Sequence, residues 1–451
     1  MTDPDFLDAH NARHVWHPMA HPREMEQVPP RVIASAEGVH VTDHRGHRAI
    51  DAVGGLWNVN LGYSSAPVKR AIAAQLDVLP YASAFRGGTN PPLIELSEQL
   101  VRWLEPEGMR RFAFTAGGSD SVEVALRLAR QYWKIVGQKD RTKFLAFRKG
   151  YHGTHFGAAS VNGNDRFRRP YEPLLPGCFH VPFPWPYRNP FGETDPARLA
   201  RICLGLLEEE IRFQGADTIA AFIFEPVLGA GGVFVPPEGF VRDVVALCRK
   251  HGILTIADEV ITGFGRTGSW FGARLWGVQP DLMCLAKAIT SAYFPFGAVG
   301  VGERVEQAFM QADAAGGIYS GYTYSGHPVG CAAAIAALAE TRRLELASNA
   351  ARVGATLKAG LEAFAAGCPS IGEVRGIGLM LALECVADRD TKAPVDAAFM
   401  ARLADGAWDA GALIRTSGNV AILSPPLVID EADAARIVEA LAAGFSRARG
   451  G

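Results

Sequence analysis

The stretch Arg111-Phe112-Ala113-Phe114-Thr115-Ala116-Gly117-Gly118-Ser119-Asp120 moves from an apolar run through a glycine turn into a helical pattern. Val122, Ala125, Leu126, Ala129 and Trp133 then fall on one helix face. The same alternation continues downstream. Strands are expected at Lys143 to Phe147, Ile219 to Phe224, Ile253 to Ala257, Leu282 to Ala286 and Gly297 to Val301. These runs are continuously apolar rather than alternating, as in strands buried on both faces. The fold class is therefore α/β, a mostly parallel central sheet with helices on both faces.

The flanks read differently. Residues 31–53 suggest a β-hairpin, a long Ala- and Leu-rich helix starts near 326, and a strand is expected at Ile377 to Glu384. Helical patterns occupy most of 394–411 and 431–447, whereas the Pro-rich stretch Phe179 to Pro190 reads as a loop. The two chain ends should build a second, smaller α+β unit.

The chain has 451 residues, enough for two domains. Its 45 Lys and Arg against 47 Asp and Glu leave no basic excess to attract nucleic acid or an anionic membrane. No signal-peptide core is visible at the start, and no apolar run is long enough to span a bilayer. Seven cysteines, an odd number with no C-x-x-C pair, read as thiols in a reducing cytoplasm.

Ligands of open α/β sheets bind beyond the carboxyl ends of the strands. Those ends carry Gly117-Gly118-Ser119, then Gly150-Tyr151-His152-Gly153, Glu225-Pro226, Asp258-Glu259-Val260 and Lys287. Gly118 and Ser119 open a helix whose free N–H groups suit a phosphate, although Ser119 could simply cap that helix. Neither G-x-G-x-x-G nor a P-loop is present. Lys287 ends a buried strand, where desolvation lowers a lysine pKa and makes the amine nucleophilic toward carbonyls. Asp258 ends another, as a site carboxylate or a structural one. A strand-end lysine and a buried carboxylate together point to pyridoxal phosphate: the lysine holds the aldehyde and the aspartate keeps the ring nitrogen protonated. Tyr151 and Val260 would then lie on opposite faces of the ring.

With Thr262-Gly263-Phe264-Gly265-Arg266-Thr267-Gly268 and Thr323-Tyr324-Ser325-Gly326-His327-Pro328 added, the ordered set resembles the class III aminotransferases over nearly the whole chain. The resemblance implies fold-type I architecture, with residues 1–60 contributing to a small domain, 61–325 forming the large cofactor-binding domain and 326–451 the C-terminal small domain. It implies that Lys287 forms the Schiff base and moves protons. Asp258 meets the ring nitrogen. Glu225 joins the cofactor-binding set, and Gly118, Ser119 and a partner's Thr323 hold the phosphate. It also implies a homodimer with active sites at the subunit interface; a tetramer is the alternative.

Gly55-Leu56-Trp57 resembles the ω-transaminases, which move amino groups from amines or ω-amino acids to keto acids such as pyruvate. By that likeness Trp57, Tyr151 and a partner's Phe85 and Arg86 line the substrate pocket. Arg415, in Leu413-Ile414-Arg415-Thr416-Ser417-Gly418-Asn419, resembles the mobile arginine for the substrate carboxylate; a structural pairing with Glu225 is the alternative. Asn419 stands where many relatives carry aspartate. An aminomutase or racemase would share the cofactor residues. No metal site is expected: prolines at 18 and 22 break any helix that would align His14, His17 and His21.

Overall fold

The computed structural model describes residues 3–450. Its central sheet has seven strands: β1 Met109–Thr115, β2 Lys143–Phe147, β3 Cys178–Val181, β4 Ile219–Phe224, β5 Leu254–Asp258, β6 Leu282–Leu285 and β7 Gly297–Gly302. They lie in the order β1-β7-β6-β5-β4-β2-β3. Only β7 runs against its neighbours, and the pairs among β2 to β6 are parallel.

The unbroken apolar runs follow from this layering. Along β4, Phe222 and Phe224 enter one core with Leu145, Phe147, Met283 and Leu285. Ala221 and Ile223 enter the opposite core with Phe144, Ala146, Leu282 and Cys284. The first core is roofed by helices Pro91–Trp103, Pro196–Gln214 and Phe240–Lys250, the second by Gly118–Ile135. Each Phe or Leu sealed in this way contributes about 1.5–3 kcal/mol.

Both chain ends enter the smaller α+β part. Strands Ile33–Glu37, His40–Asp43 and Arg48–Asp51 form an antiparallel meander, and Ala412–Leu413 adds to it in parallel, with Ala412 opposite Ile50. A second four-stranded sheet has the order Ile371–Ile377, Met380–Cys385, Val420–Leu423, Arg415–Ser417. Ile50 and Leu61 share its core with Leu381, Leu383, Leu423 and Phe445.

Three expectations need correction. The Pro-rich stretch begins with an edge strand, β3, because Cys178 to Val181 precede the first proline and pair with β2. The strand expected at 377–384 is a hairpin: Ile377 pairs with Met380 across Gly378, whose φ is +56°. Glu373 and Arg375 mask its first strand in the sequence. The long helix after 326 is two helices, Pro328–Arg343 and Leu346–Gly367, broken where Glu345 takes a φ of +49°.

Arg266 ties these parts together. It is fully buried and donates to the Leu379 carbonyl at 3.0 Å, the Pro425 carbonyl, and Asn60 Oδ1 at 2.7 Å. All seven cysteines are free thiols, six of them buried. Among the described residues, no helix is long and apolar enough to cross a membrane.

Candidate active site

The ends of five strands meet around one cavity of about 380 Å³. Gly117, Gly118 and Ser119 after β1, Tyr151 and His152 after β2, and Glu225 after β4 line it, as do Asp258 at the end of β5 and Lys287 after β6. Val260 and Ile261 add an apolar wall, and Phe294 to Phe296 another.

Lys287 sits at φ +49°, a left-handed conformation that a non-glycine residue adopts at a cost of about 1–3 kcal/mol. Burial pushes its amine below the ordinary lysine pKa, against the opposing charges of Asp258 and Glu225, while Arg415 adds to the lowering. A larger neutral fraction makes the amine a better nucleophile.

Asp258 is 4% exposed. Its Oδ1 accepts the Val260 N–H at 3.1 Å, and its Oδ2 lies 2.8 Å from His152 Nδ1. With Asp258 ionised, that ring nitrogen is the donor. His152 is itself 2% exposed, its backbone N–H is held by Asn162 Oδ1, and Asn162 Nδ2 donates to the Gly153 carbonyl at 2.9 Å. Neither His152 nor Asn162 stands out as a site residue in the sequence pattern. The available signal was the place of His152 beside Tyr151 at a strand end.

Glu225 fixes the same loop from the other side. Its Oε1 accepts the Tyr151 N–H at 2.9 Å and its Oε2 the Gly229 N–H at 2.8 Å. Burial raises its pKa to about 7; the His152 charge and the two N–H donors oppose this rise, and the charge of Asp258 adds to it. The half-buried Tyr151 ring meets Phe167 edge-on at 4.8 Å. Burial also raises its phenol pKa.

The start of helix Gly118–Ile135 points its free N–H groups into the cavity region. A Cβ at Gly118 would lie 2.8 Å from Val260, so glycine lets the helix start approach β5. Gly153, at φ +116°, is as close to Ser119, whose Oγ accepts the Thr154 N–H at 3.1 Å.

Arg415 is half-buried and has no carboxylate within 4.0 Å among the described residues, so the pairing with Glu225 does not form. Burial lowers its pKa and Arg166 adds to that, against the influence of Tyr151.

Other sequence-selected residues lie elsewhere in the chain. Trp57 is 1% exposed in a cluster with Ile261, Met380 and Ile422, while its neighbours Leu56 and Asn58 line the cavity. Phe85 and Arg86 line a different depression together with Gly321 and Tyr322. Thr323 is exposed nearby, and its carbonyl accepts the Tyr81 hydroxyl at 2.9 Å. Among the described residues, no group of His, Cys, Asp and Glu could hold a metal ion.

Residues 21–445 match the family model for class III aminotransferases. The structure superposes on an amine transaminase from an uncultivated Pseudomonas species, in its PLP-bound form, with a TM-score of 0.95 and 47% identity over 96% of this chain and 98% of that one. An (S)-enantioselective ω-transaminase from Thermomicrobium roseum gives a TM-score of 0.95 and 39% identity over 99% of each chain. A putrescine–pyruvate aminotransferase of Pseudomonas aeruginosa is 35% identical over 90% of this chain and 89% of its own.

The donor set fits pyridoxal phosphate: an amine for its aldehyde, a carboxylate for its ring nitrogen and free helix N–H groups for its phosphate, all around one cavity. This chain belongs to the class III aminotransferases, fold-type I enzymes that work with pyridoxal phosphate.

Proposed function

We propose that the enzyme moves an amino group from an amine or ω-amino acid to a keto acid, with pyruvate as acceptor, in a ping-pong cycle. The observation that carries this reading is Arg415, a half-buried guanidinium whose charge is felt at Tyr151 and Lys287 and that no carboxylate of the described residues neutralises. Such a cation is costly to leave unpaired and suits a substrate carboxylate that comes and goes. The names of the similar ω-transaminase and putrescine–pyruvate aminotransferase support the amine donor and the pyruvate acceptor.

When bound, pyridoxal phosphate supplies a carbonyl that condenses with amines and a ring that takes up the electron pair left by a departing proton. Lys287 Nζ, neutral for a larger share of the time than an exposed lysine, takes that proton from the donor carbon. Asp258, held by two donors, would present its carboxylate to the ring nitrogen. Gly118 and Ser119 would hold the phosphate, and Tyr151 and Val260 would pack against the ring. Glu225 holds the backbone of Tyr151 in place.

Phe85, Arg86 and Thr323 belong in this scheme to a second copy of the chain, whose loops complete the site in a homodimer. Phe85 packs against Gly321, and with Arg86 it lines a depression separate from the cavity that holds Lys287. Trp57 backs the substrate wall through its cluster with Ile261. Residues 61–325 form the cofactor-binding domain in this reading, and 1–60 with 326–451 the smaller one.

The test is Arg415→Ala in separate half-reactions, with pyruvate and then with an uncharged aldehyde as acceptor. Keto-acid binding should fall by about 2–5 kcal/mol, and the aldehyde should suffer much less. Equal losses for both would refute the carboxylate role.

A further inference from the structure

Arg415 lies on the edge strand Arg415–Ser417, which pairs with Val420–Leu423 through the two-residue turn Gly418-Asn419. The Asn419 side chain does not face solvent alone. Its Nδ2 donates to Glu384 Oε1 at 3.1 Å and to the Cys385 carbonyl at 2.8 Å. Glu384 is 3% exposed, and its Oε2 lies 2.9 Å from Arg375 Nη1. Arg375 is 7% exposed and donates from Nε to the Gly232 and Val233 carbonyls at 2.8 and 3.1 Å.

Those two carbonyls belong to a constrained turn. Val233 holds a φ of +58°, and the turn closes on the bridge between Leu228 and Phe234. At its start, the Gly229 N–H is the donor to Glu225 Oε2. A continuous set of polar contacts therefore runs from the Arg415 hairpin, through Asn419, Glu384 and Arg375, to the turn that holds Glu225 and thus Tyr151. It links the hairpin that carries Arg415 to Glu225, which lines the cavity.

We propose that Asn419 is a positioning residue for keto-acid recognition, setting the Arg415 hairpin against the Glu225 turn through Glu384 and Arg375. The proposal rests on the reading of Arg415 as the arginine for the keto-acid carboxylate. In this chain the charge balance around Glu384 favours an amide at 419. Glu373 Oε2 already lies 2.8 Å from Arg375 Nη1, so one guanidinium serves two carboxylates, with Arg188 more distant at 3.8 Å from Glu384. A third carboxylate at 419 would face Glu384 at the same short distance and repel it, where the amide donates.

The test uses the cofactor-loaded enzyme. Asn419→Asp should raise the KM for pyruvate about tenfold, with kcat, the donor half-reaction and reaction with an uncharged aldehyde changed by less than about twofold. Asn419→Asp/Glu384→Gln returns a donor to the pair and should bring the pyruvate KM back to within about threefold of wild type. Should Asn419→Asp fail to accumulate, Asn419→Ala removes the donor without adding charge and should show the same split. An unchanged pyruvate KM, equal changes for pyruvate and aldehyde, or a double variant no better than the single one would each overturn the proposal. If Arg415→Ala itself leaves the pyruvate KM unchanged, the reading of Arg415 fails and this proposal with it. If Arg415→Ala behaves as expected and Asn419→Asp does not, the proposal fails alone.

Discussion

Replacing His152 with alanine isolates the contribution of one buried contact to proton removal. His152 Nδ1 and Asp258 Oδ2 are 2.8 Å apart, and neither residue is more than 4% exposed. In the variant, Asp258 keeps the Val260 N–H but loses its second donor, and water has little access to replace it. A hydrogen bond to a charged group in such a setting contributes about 1.5–3 kcal/mol. If that loss falls on the transition state, the limiting rate of the donor half-reaction should drop about 10- to 150-fold. The half-reaction can be followed in a single turnover through the cofactor's absorbance, at several amine concentrations. The donor's dissociation constant should move little, because His152 does not touch the donor in this scheme. Asn places an amide N–H near the position of Nδ1, so His152→Asn should recover most of the rate. A His152→Ala limiting rate within twofold of wild type at full cofactor content would refute the reasoning. An Asn variant as slow as Ala would show that His152 matters only for packing.

Two further outcomes follow from buried charge. Lys287→Met should abolish turnover. In the cofactor-free protein, burial holds the folded Lys287 pKa below the ordinary 10.5, so the unfolded chain binds more protons between that lowered value and 10.5. Stability should therefore rise with pH across this window, and urea unfolding of Lys287→Met should lack that rise. Arg266→Leu should destabilise the folded protein by at least about 2 kcal/mol, read from the denaturation midpoint, because the Leu379 and Pro425 carbonyls and Asn60 lose their buried donor. Burial already pushes the Arg266 pKa down to about 9, so the lost burial cost offsets part of the effect.

The central sheet was legible because its strands are buried on both faces. Lys143–Phe147 and Ile219–Phe224 stand in the structure with the bounds their apolar runs suggest. The cavity was legible for a related reason: each strand end delivers its residue to the same edge of the sheet, so chain order alone groups Ser119, Tyr151, Glu225, Asp258 and Lys287. Contacts made across the sequence left no such pattern. His152 and Asp258 are 106 positions apart, and Asn419 and Glu384 are 35 apart. Each pair depends on a loop path or a strand register that composition does not encode. The hairpin at 371–385 hid for a local reason, since Glu373 and Arg375 break the apolar run and pair with each other at 2.8 Å. Phe85, Arg86 and Thr323 could be grouped with the site only by resemblance, because one chain keeps them on a patch of their own.

An aminotransferase must admit a donor and then a keto acid to the same cavity, and a simple amine donor lacks the carboxylate that the keto acid carries. A guanidinium fixed in the interior would need a permanent counter-charge, which would compete with the keto acid. Here the contrast lies between Arg415 and Arg375. Arg375 is 7% exposed and is held by two carboxylates and two carbonyls, so it cannot respond to a substrate. Arg415 is half-buried on an edge strand, next to a turn whose Gly418 is exposed, and has no carboxylate partner among the described residues. The turn of the hairpin is anchored through Asn419 while the Arg415 side chain stays free of carboxylate partners. In the proposed scheme that division would let one arginine meet an anion in one half-reaction and withdraw in the other, without the backbone that carries it having to refold.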